Sequence, residues 1–180
     1  TFTSTASPSS ENYALGWYNL GYARFKQNRY ASAQNAFQRY ISTENDKRRP
    51  EVADAYNRIG DTYYYNRAFS DAEQYYAQAA ELNPSVADYA AYQKAFVMGL
   101  QHNYQGKIAA LDDLMRRFPN SQYFDDALFE KSRALTMLNR ENEAISVLER
   151  LVSSFPNSSL ASQAGIQLGQ LYYNLGEHKR

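Results

Sequence analysis

The stretch GWYNLG at residues 16–21 decides the fold, because its pattern returns as AYNRIG at residues 55–60 and as AGIQLG at residues 164–169. In each copy a small residue precedes an aliphatic residue by four places, and a glycine follows the aliphatic residue directly. Residues three and four places apart share one face of a helix. Self-similarity at a fixed period is typical of proteins built from stacked repeats. The sequence therefore predicts an array of similar helical repeats.

Each repeat is predicted to contain two helices separated by a polar break. The breaks at residues 27–29 and 66–68 end first helices, and second helices are expected at about residues 31–42 and 70–82. Proline cannot continue a helix, so the prolines of the later phrases RFPNS and SFPNS end repeats. The predicted divisions are a polar linker at residues 1–11 and a repeat domain at residues 12–180, with repeats near 14–52, 53–87, 88–124 and 125–161 and a half-repeat at 162–177.

Small residues are expected where the two helices of a repeat cross closely. Gly21, Gly60 and Gly169 hold this place on first helices. A Gly60→Leu substitution is therefore expected to destabilise the chain severely, because overpacking a close contact costs about 1–3 kcal/mol or more. The serines that follow the two late prolines, Ser121 and Ser158, are predicted N-caps of the next helices.

The first two repeats resemble the tetratricopeptide-repeat family, whose period is about 34 residues. The residues that carry the resemblance are Trp17, Leu20, Gly21, Ala33, Phe37, Tyr56, Ile59, Gly60, Tyr63, Ala72, Tyr76, Ala79 and Pro84. Repeats three and four depart from the family pattern. Lys94 and Lys131 stand where leucine is usual, and Lys107 stands where alanine is usual. The Phe-Pro-Asn-Ser endings look like a variant of bacterial cell-envelope proteins, which favours the periplasm or cell envelope over the cytoplasm.

The resemblance implies an all-α fold, a right-handed superhelical solenoid of antiparallel helix pairs with about four and a half repeats. In this family the first helices line the concave side. The final half-repeat has only a first helix, and no following helix would pack against its residues Ile166, Leu168, Leu171 and Tyr172. We therefore expect either a fragment of a longer array or self-association through the terminal helix.

Composition excludes several classes of function. The chain's 19 basic and 19 acidic residues give a formal net charge of zero, whereas nucleic-acid binders usually carry a basic excess. The absence of cysteine from the sequence excludes disulfides and thiolate metal sites. No apolar run approaches the roughly 20 residues of a membrane-spanning helix. We expect a protein that buries a core, binds no nucleic acid and does not span a membrane.

The sequence contains no arrangement of residues that indicates catalysis, a metal site or a cofactor. Its two histidines, His102 and His178, each lack a second ligand at metal-binding spacing. The neighbouring acids at 112–113 and 125–126 do not face each other on a helix and so do not converge on one substrate atom. We therefore predict a non-catalytic chain without a cofactor. An alternative makes the chain the helical arm of an enzyme whose catalytic domain lies outside it.

A protein or peptide partner is predicted to bind the concave face of the first helices. The expected contact residues are Tyr18, Tyr22, Phe25, Asn57, Asp61, Tyr64, Tyr92, Phe96, Phe129 and Arg133. The same face also holds Arg58, Tyr65, Tyr89 and Gln93. Tyrosine combines a large contact area with a hydrogen-bonding hydroxyl, which suits it to interfaces. Helical spacing does not separate a binding groove from core packing between repeats, so both interpretations stay open.

Two further possibilities follow from the resemblance. Some tetratricopeptide domains clamp an acidic C-terminal peptide with lysines and asparagines. The matching places here hold Tyr18, Tyr22 and Arg58, so we do not expect a receptor of that kind. The alternative to partner binding is a structural role, as a segment of a larger solenoid or as a self-association module.

Overall fold

The repeated pattern folds into nine α-helices over residues 11–176, the part of the chain that the computed structural model describes. They are α1 (Glu11–Lys26), α2 (Tyr30–Thr43), α3 (Pro50–Tyr65), α4 (Phe69–Leu82), α5 (Pro84–Leu100), α6 (Tyr104–Arg117), α7 (Phe124–Met137), α8 (Glu141–Ser154) and α9 (Ala161–Asn174). Residues 1–10 of the predicted linker, and His178, lie outside the described residues. The second helices α2 and α4 begin one residue before their predicted starts.

Successive helices pack against each other as predicted for stacked pairs. α1 packs on α2, α3 on α4 and α7 on α8, and further contacts join α2 to α3, α6 to α7 and α8 to α9. α5 joins α4 where Val97 packs in one buried cluster with Ala72 and Tyr76. The predicted all-α array of about four and a half helix pairs is confirmed. The chain divides into two compact units, of which the first ends at Val97 and the second begins at Met98.

One backbone conformation recurs at the end of the first helix of each repeat. Asn28, Arg67, His102, Asn139 and Gly176 have φ angles of 58°, 61°, 60°, 53° and 77°. They follow one another at intervals of 39, 35, 37 and 37 residues, so the turn repeats with the period of the sequence. A left-handed residue ends a helix because its own and the following N–H bond back to the last helical turn. Arginine adopts this conformation only with strain, whereas asparagine and histidine are found in it more often than most residues.

In the first unit, glycines on α1 and α3 let an aromatic ring of the paired helix approach the backbone. A Cβ atom at Gly21 would lie 2.7 Å from the Phe37 ring, and one at Gly60 would lie 2.7 Å from the Tyr76 ring. Both rings are almost completely buried. The ring therefore fills the volume that a side chain at the glycine would need, which is the close helix approach that the repeated glycine predicts.

Proline and serine mark the helix boundaries, although not all of them act as predicted. Pro84 follows the end of α4 and is the first residue of α5. Proline is suited to that position because the N–H groups of the first helical turn make no hydrogen bond within the helix. Ser121 and Ser158 are not N-caps, because Tyr123 and Leu160 hold those positions. Each serine Oγ instead accepts a hydrogen bond from the N–H two residues later, at 3.1 Å and 3.0 Å. The serines thus stabilise the turn that leads into the helix.

A buried ion pair joins α6 and α7 in the second unit. The Lys107 ammonium contacts the Glu130 carboxylate, and each of the two side chains is 8% exposed. Arg133 donates to the other Glu130 oxygen at 2.8 Å. The lysine at a position where the family usually has alanine is thus explained by a carboxylate that compensates its charge inside the protein.

The last helix, α9, is buried on one face only. Leu171 and Tyr172 are each 7% exposed, and the Tyr172 hydroxyl contacts Glu149 of α8. These two residues pack on the preceding helix α8, so the lack of a following helix does not leave them exposed. Ile166 is 65% exposed, and a Cβ atom at Gly169 would meet nothing within 4 Å. The face that carries Ile166 and Gly169 is therefore open.

Candidate functional site

The first unit contains a pocket of about 350 Å³ with mostly aromatic walls, which we call the aromatic pocket. It is lined by Phe25 of α1, by Arg58, Asp61, Tyr64 and Tyr65 of α3, by Tyr76 of α4, and by Tyr89, Tyr92, Gln93 and Phe96 of α5. The lining residues of α3 and α5 are mostly three or four places apart, which puts them on one helix face. Three successive first helices therefore supply nine of the ten lining residues.

Asp61 holds the base of the aromatic pocket together. Its Oδ1 atom accepts hydrogen bonds from the hydroxyls of Tyr76 at 2.7 Å and Tyr89 at 2.8 Å. Its Oδ2 atom lies 2.6 Å from Nη1 of Arg58. The Asp61 side chain is only 7% exposed. With three donors on one buried carboxylate, Asp61 fixes the positions of α4 and α5 side chains around α3.

A second carboxylate, Asp54, lies beside Arg58 and ties α1 to α3. Tyr18 donates a hydrogen bond to Asp54 Oδ2 at 2.7 Å, and the Tyr22 hydroxyl contacts the same oxygen. Nε of Arg58 lies 3.5 Å from Asp54 Oδ1. The Arg58 guanidinium also lies over the Tyr89 ring, 5.0 Å from its centroid. We call these connected residues the polar cluster: Tyr18, Tyr22, Asp54, Arg58, Asp61, Tyr76 and Tyr89.

Burial and the two carboxylates keep the phenols of the polar cluster protonated. Burial, followed by the hydrogen bond to Asp54, raises the pKa of Tyr22 to about 12. The same two causes raise the pKa of Tyr18 further. Burial and the negative charge of the neighbouring carboxylate also raise the pKa of Tyr76 and of Tyr89. These four hydroxyls therefore act as hydrogen-bond donors over the physiological pH range.

The polar cluster contains two carboxyl groups but one guanidinium. Burial alone would lower the pKa of Arg58, but the negative charges of Asp61 and Asp54 outweigh burial and raise it. Burial raises the pKa of Asp61, and the Arg58 charge and the two phenol donors oppose that rise. The cluster thus has one more carboxyl group than guanidinium group beside the aromatic pocket.

The rings at the edge of the aromatic pocket leave surface for a partner while neighbouring rings hold them in place. Tyr65 is 54% exposed and stacks on Tyr30, with ring centroids 4.8 Å apart and an interplanar angle of 5°. Phe25 contacts the Tyr65 ring, at 6.0 Å between centroids. Tyr92 and Phe96 stack on each other at 6.4 Å. Because these rings are already ordered, binding a partner costs them little conformational entropy.

The aromatic pocket brings together five of the ten predicted partner-binding residues. These five are Phe25, Asp61, Tyr64, Tyr92 and Phe96. Tyr18 and Tyr22 belong to the adjacent polar cluster, where both are half-buried and contact the buried ring of Phe37. For these two tyrosines the structure supports core packing between repeats, and their hydroxyls are occupied by Asp54.

Two predicted contact residues are buried, which corrects the expectation that a partner can reach them. Asn57 is 0% exposed and Phe129 is 5% exposed. Adjacent helical residues point in different directions, so Asn57 lies away from the face on which Arg58 borders the pocket. Within the described residues neither side-chain amide atom of Asn57 has a hydrogen-bond partner. Arg133 has a 57% exposed side chain, but it is paired with Glu130 in the second unit.

Sequence reasoning missed two residues of this site. Asp54 was not expected to take part, although it lies four residues before Arg58, the spacing of an ion pair along a helix. Tyr76 was expected only as a core residue that fits the family pattern. Its ring is in the core, and its hydroxyl reaches Asp61 at the base of the pocket. A tyrosine in place of phenylalanine at a buried position was the signal for a polar partner.

The rest of the described chain contains fewer features that suggest a site. A second pocket of about 630 Å³ lies on α1 and α2, and Trp17 is the one aromatic residue in its lining. Residues 11–176 contain no group of three or more His, Asp or Glu side chains placed to hold a metal ion. In the same range, no helix has both the length and the apolar character that crossing a membrane requires.

Family models agree with the helix pairs. Two models described as tetratricopeptide repeat match residues 18–87 and residues 126–158, which together make up more than half of the chain. The chain belongs to the tetratricopeptide-repeat family. A comparison with curated proteins gives no significant match.

Solved structures show the same tetratricopeptide-type arrangement at low sequence identity. MamA from Desulfovibrio magneticus RS-1, from its residue 41 onward, aligns with a TM-score of 0.73 and 14% identity over 92% of this chain and 87% of that one. YrrB, described as a TPR protein with an unusual peptide-binding site, aligns with a TM-score of 0.67 and 16% identity over 84% and 74%. A putative kinesin light chain from Podosopora anserina gives 0.70 and 13% over 97% and 91%. At these identities the likeness shows the fold alone.

Proposed function

We propose that this tetratricopeptide-repeat chain is a non-catalytic scaffold that binds a segment of a partner protein in the aromatic pocket. The observation that carries the proposal is the convergence of aromatic residues from α1, α3 and α5 on one pocket. Aromatic side chains supply most of the binding energy in many protein interfaces. The proposal assigns the chain no catalytic step and no cofactor.

The size and order of the aromatic pocket support a peptide segment as the occupant. A volume of about 350 Å³ lies at the small end of ligand pockets, which suits one or two side chains of a longer segment. The exposed ring of Tyr65 at the pocket edge provides contact area for neighbouring residues of that segment. YrrB, a structural relative, is described as having a peptide-binding site, which supports the same kind of occupant here.

Capture of partners with matched variants tests the proposal. The full chain would be immobilised and exposed to bacterial cell-envelope and cytosolic extracts, since the Phe-Pro-Asn-Ser endings favour the envelope. The Tyr65→Ala/Tyr92→Ala variant removes two rings of the pocket and none of the polar cluster. The control variant, Tyr104→Ala/Tyr173→Ala, removes two tyrosines of the second unit. We expect partners that the parent and the control retain and the pocket variant loses, with unchanged far-UV circular dichroism. Equal retention by all three chains would refute the proposal.

The open face of α9 favours self-association as a second candidate function. On α1 and α3 the repeated glycine is covered by an aromatic ring, whereas Cβ atoms at Gly165 and Gly169 of α9 would meet nothing within 4 Å. Ile166, on the same helix, is 65% exposed. Two copies that join through the same patch would cover both faces in one symmetric dimer.

Analytical ultracentrifugation tests this second candidate. The parent is expected to form dimers, and Ile166→Glu is expected to shift it to monomers because it would bury an unpaired carboxylate in the interface. Gln78→Glu, an exposed change on α4 of the first unit, serves as the control and is expected to leave the dimer intact. A parent that is monomeric at every concentration excludes this function.

A further inference from the structure

The charges around the aromatic pocket select one class of partner side chain. Arg58 is the only cationic residue in its lining, and Asp61 is the only anionic one. The guanidinium of Arg58 is already bound by Asp61 at 2.6 Å and lies 3.5 Å from Asp54. One face of it also covers the Tyr89 ring. Arg58 is therefore engaged by two carboxylates and a ring of its own chain, and its Nε, which has no hydrogen-bond partner among the described residues, is buried away from an incoming carboxylate.

The remaining charge of the polar cluster is negative. Asp54 and Asp61 share the single guanidinium of Arg58, and their other donors are the neutral phenols of Tyr18, Tyr22, Tyr76 and Tyr89. Phenols orient toward the carboxylates but do not cancel their charge. A charge inside a protein is screened less than a charge in water, so the excess negative charge is felt in the pocket.

The rings of the aromatic pocket favour the same sign of ligand. The faces of tyrosine and phenylalanine rings carry partial negative charge and attract cations that lie over them. One such contact already exists beside the pocket, between Arg58 and the Tyr89 ring. Further rings line the pocket around it, namely Phe25, Tyr64, Tyr65, Tyr92 and Phe96. A cation in this space gains from the ring faces and from the negative cluster at once.

We propose that the aromatic pocket takes the basic side chain, arginine or lysine, of the partner segment. This inference rests on the proposed function and adds the chemistry of the residue that is recognised. The charge is opposite to that of the acidic peptides that lysine-rich and asparagine-rich clamps hold. An acidic side chain would meet the unpaired negative charge and the ring faces, and both contacts would repel it.

Peptides that differ in one charge test the inference on the full chain. The probes are the pentapeptides Gly-Gly-Xaa-Gly-Gly, in which Xaa is arginine, its neutral isostere citrulline, methionine or glutamate. Amide chemical shifts report where each peptide binds. We expect the arginine peptide to bind at the pocket about tenfold more tightly than the citrulline peptide, with no binding of the glutamate peptide. Added salt should weaken the binding of the arginine peptide and leave the binding of the uncharged peptides unchanged.

Two variants of Gln93 provide a matched pair, because this half-buried residue lines the pocket outside the polar cluster. Gln93→Glu should increase the affinity for the arginine peptide several-fold, and Gln93→Lys should decrease it several-fold. Binding of the citrulline or methionine peptide at the pocket as tightly as the arginine peptide would overturn the basic preference while leaving the proposed function in place. The same conclusion would follow if the Tyr65→Ala/Tyr92→Ala variant loses partner capture while the arginine peptide changes no amide chemical shift at the pocket of the parent. If the parent and the Tyr65→Ala/Tyr92→Ala variant capture the same partners, both the basic preference and the proposed function are refuted.

Discussion

The ring of Tyr76 lies where a side chain at Gly60 would stand, with Cε1 only 2.7 Å from the position of a Cβ atom on that glycine. The ring is 1% exposed, and its hydroxyl donates a hydrogen bond to Asp61 at 2.7 Å. It therefore cannot move aside without disturbing both the core and the base of the aromatic pocket.

Gly60→Ala is expected to lower the free energy of unfolding by about 1–3 kcal/mol, because the new methyl group overpacks the contact with Tyr76. Gly60→Leu should cost more. Gly169→Ala is the matched control, since Gly169 holds the same place in α9 and nothing lies within 4 Å of its Cβ position. There the higher helix propensity of alanine should stabilise the chain by about 0.5–1 kcal/mol. Urea denaturation measures both values, and changes of the same sign would contradict the role of the ring.

Lys107→Ala is expected to destabilise the second unit by about 3 kcal/mol, because it leaves the buried carboxylate of Glu130 with Arg133 alone. Lys107→Met keeps the length of the side chain and removes the charge. Combined with Glu130→Leu, it should recover most of the stability, because replacing a buried ion pair by apolar residues is often neutral. A double-mutant cycle in urea measures the coupling. Additive effects of the two single changes would show that the pair contributes no interaction energy.

Arg67→Gly is expected to raise the free energy of unfolding by about 0.5–1 kcal/mol. Its φ of 61° strains an arginine, and the gain from relieving that strain exceeds the extra chain entropy of glycine. Asn28 has a φ of 58° at the equivalent turn, and asparagine tolerates this conformation better. Asn28→Gly should therefore gain less than Arg67→Gly. A larger gain at position 28, measured by thermal unfolding, would contradict the assignment of strain.

Asn57→Leu is expected to stabilise the first unit by about 1 kcal/mol. The residue is 0% exposed, and neither amide atom has a hydrogen-bond partner within the described residues, so the amide's desolvation is uncompensated. Asn57→Asp should instead destabilise strongly, because it buries a charge. Capture of partners should be the same for Asn57→Leu as for the parent. If the Asn57→Leu variant folds but loses partner capture, Asn57 belongs to the binding site after all.

Alkaline pH should unfold the first unit in a way that the polar cluster controls. The pKa values of Tyr18, Tyr22, Tyr76 and Tyr89 are raised above the ordinary value of 10.0, that of Tyr22 to about 12. Groups whose pKa is raised by folding stabilise the native state below the unfolded pKa and lose that contribution as the pH rises through the folded pKa. The free energy of unfolding should therefore fall from about pH 10 upward.

Tyrosinate absorbance followed together with circular dichroism checks this prediction, and tyrosine ionisation should coincide with loss of helix. Tyr18→Phe/Tyr22→Phe removes two of the four groups and should make the fall in stability with pH shallower. Tyr65→Phe lies outside the polar cluster and is the control. An equal slope in the parent and the double variant would show that the cluster does not control alkaline unfolding.

The helix pairs could be predicted from the sequence because their determinants are local. Glycine, aromatic and proline positions recur at a fixed period, and each acts on its own helix or on the next one. The left-handed conformation of Arg67 was not predicted, because arginine does not favour it. Repetition of the turn imposes it on whatever residue stands there.

The site could be predicted only in part, since spacing along a helix gives direction but not depth. Phe25, Tyr64 and Phe96 were expected on one face of the first helices, and all three line the aromatic pocket. Asn57 and Phe129 were placed on the same kind of face and are buried. What separates the two groups is how closely the next helix approaches, and that distance depends on contacts between residues far apart in the sequence.

The buried charges have a consequence for how the chain finds its native arrangement. Similar helix pairs are at risk of docking in the wrong order, because one apolar helix face fits several others. Asp54 and Asp61 pair with Arg58 within α3, but their phenol partners come from α1, α4 and α5, and Lys107 of α6 finds its carboxylate on α7. A swapped or skipped neighbour would enclose an uncompensated charge at a cost of several kcal/mol. The pair of Lys107 and Glu130 thus favours the native docking of α6 on α7 over alternatives that apolar contacts alone would accept.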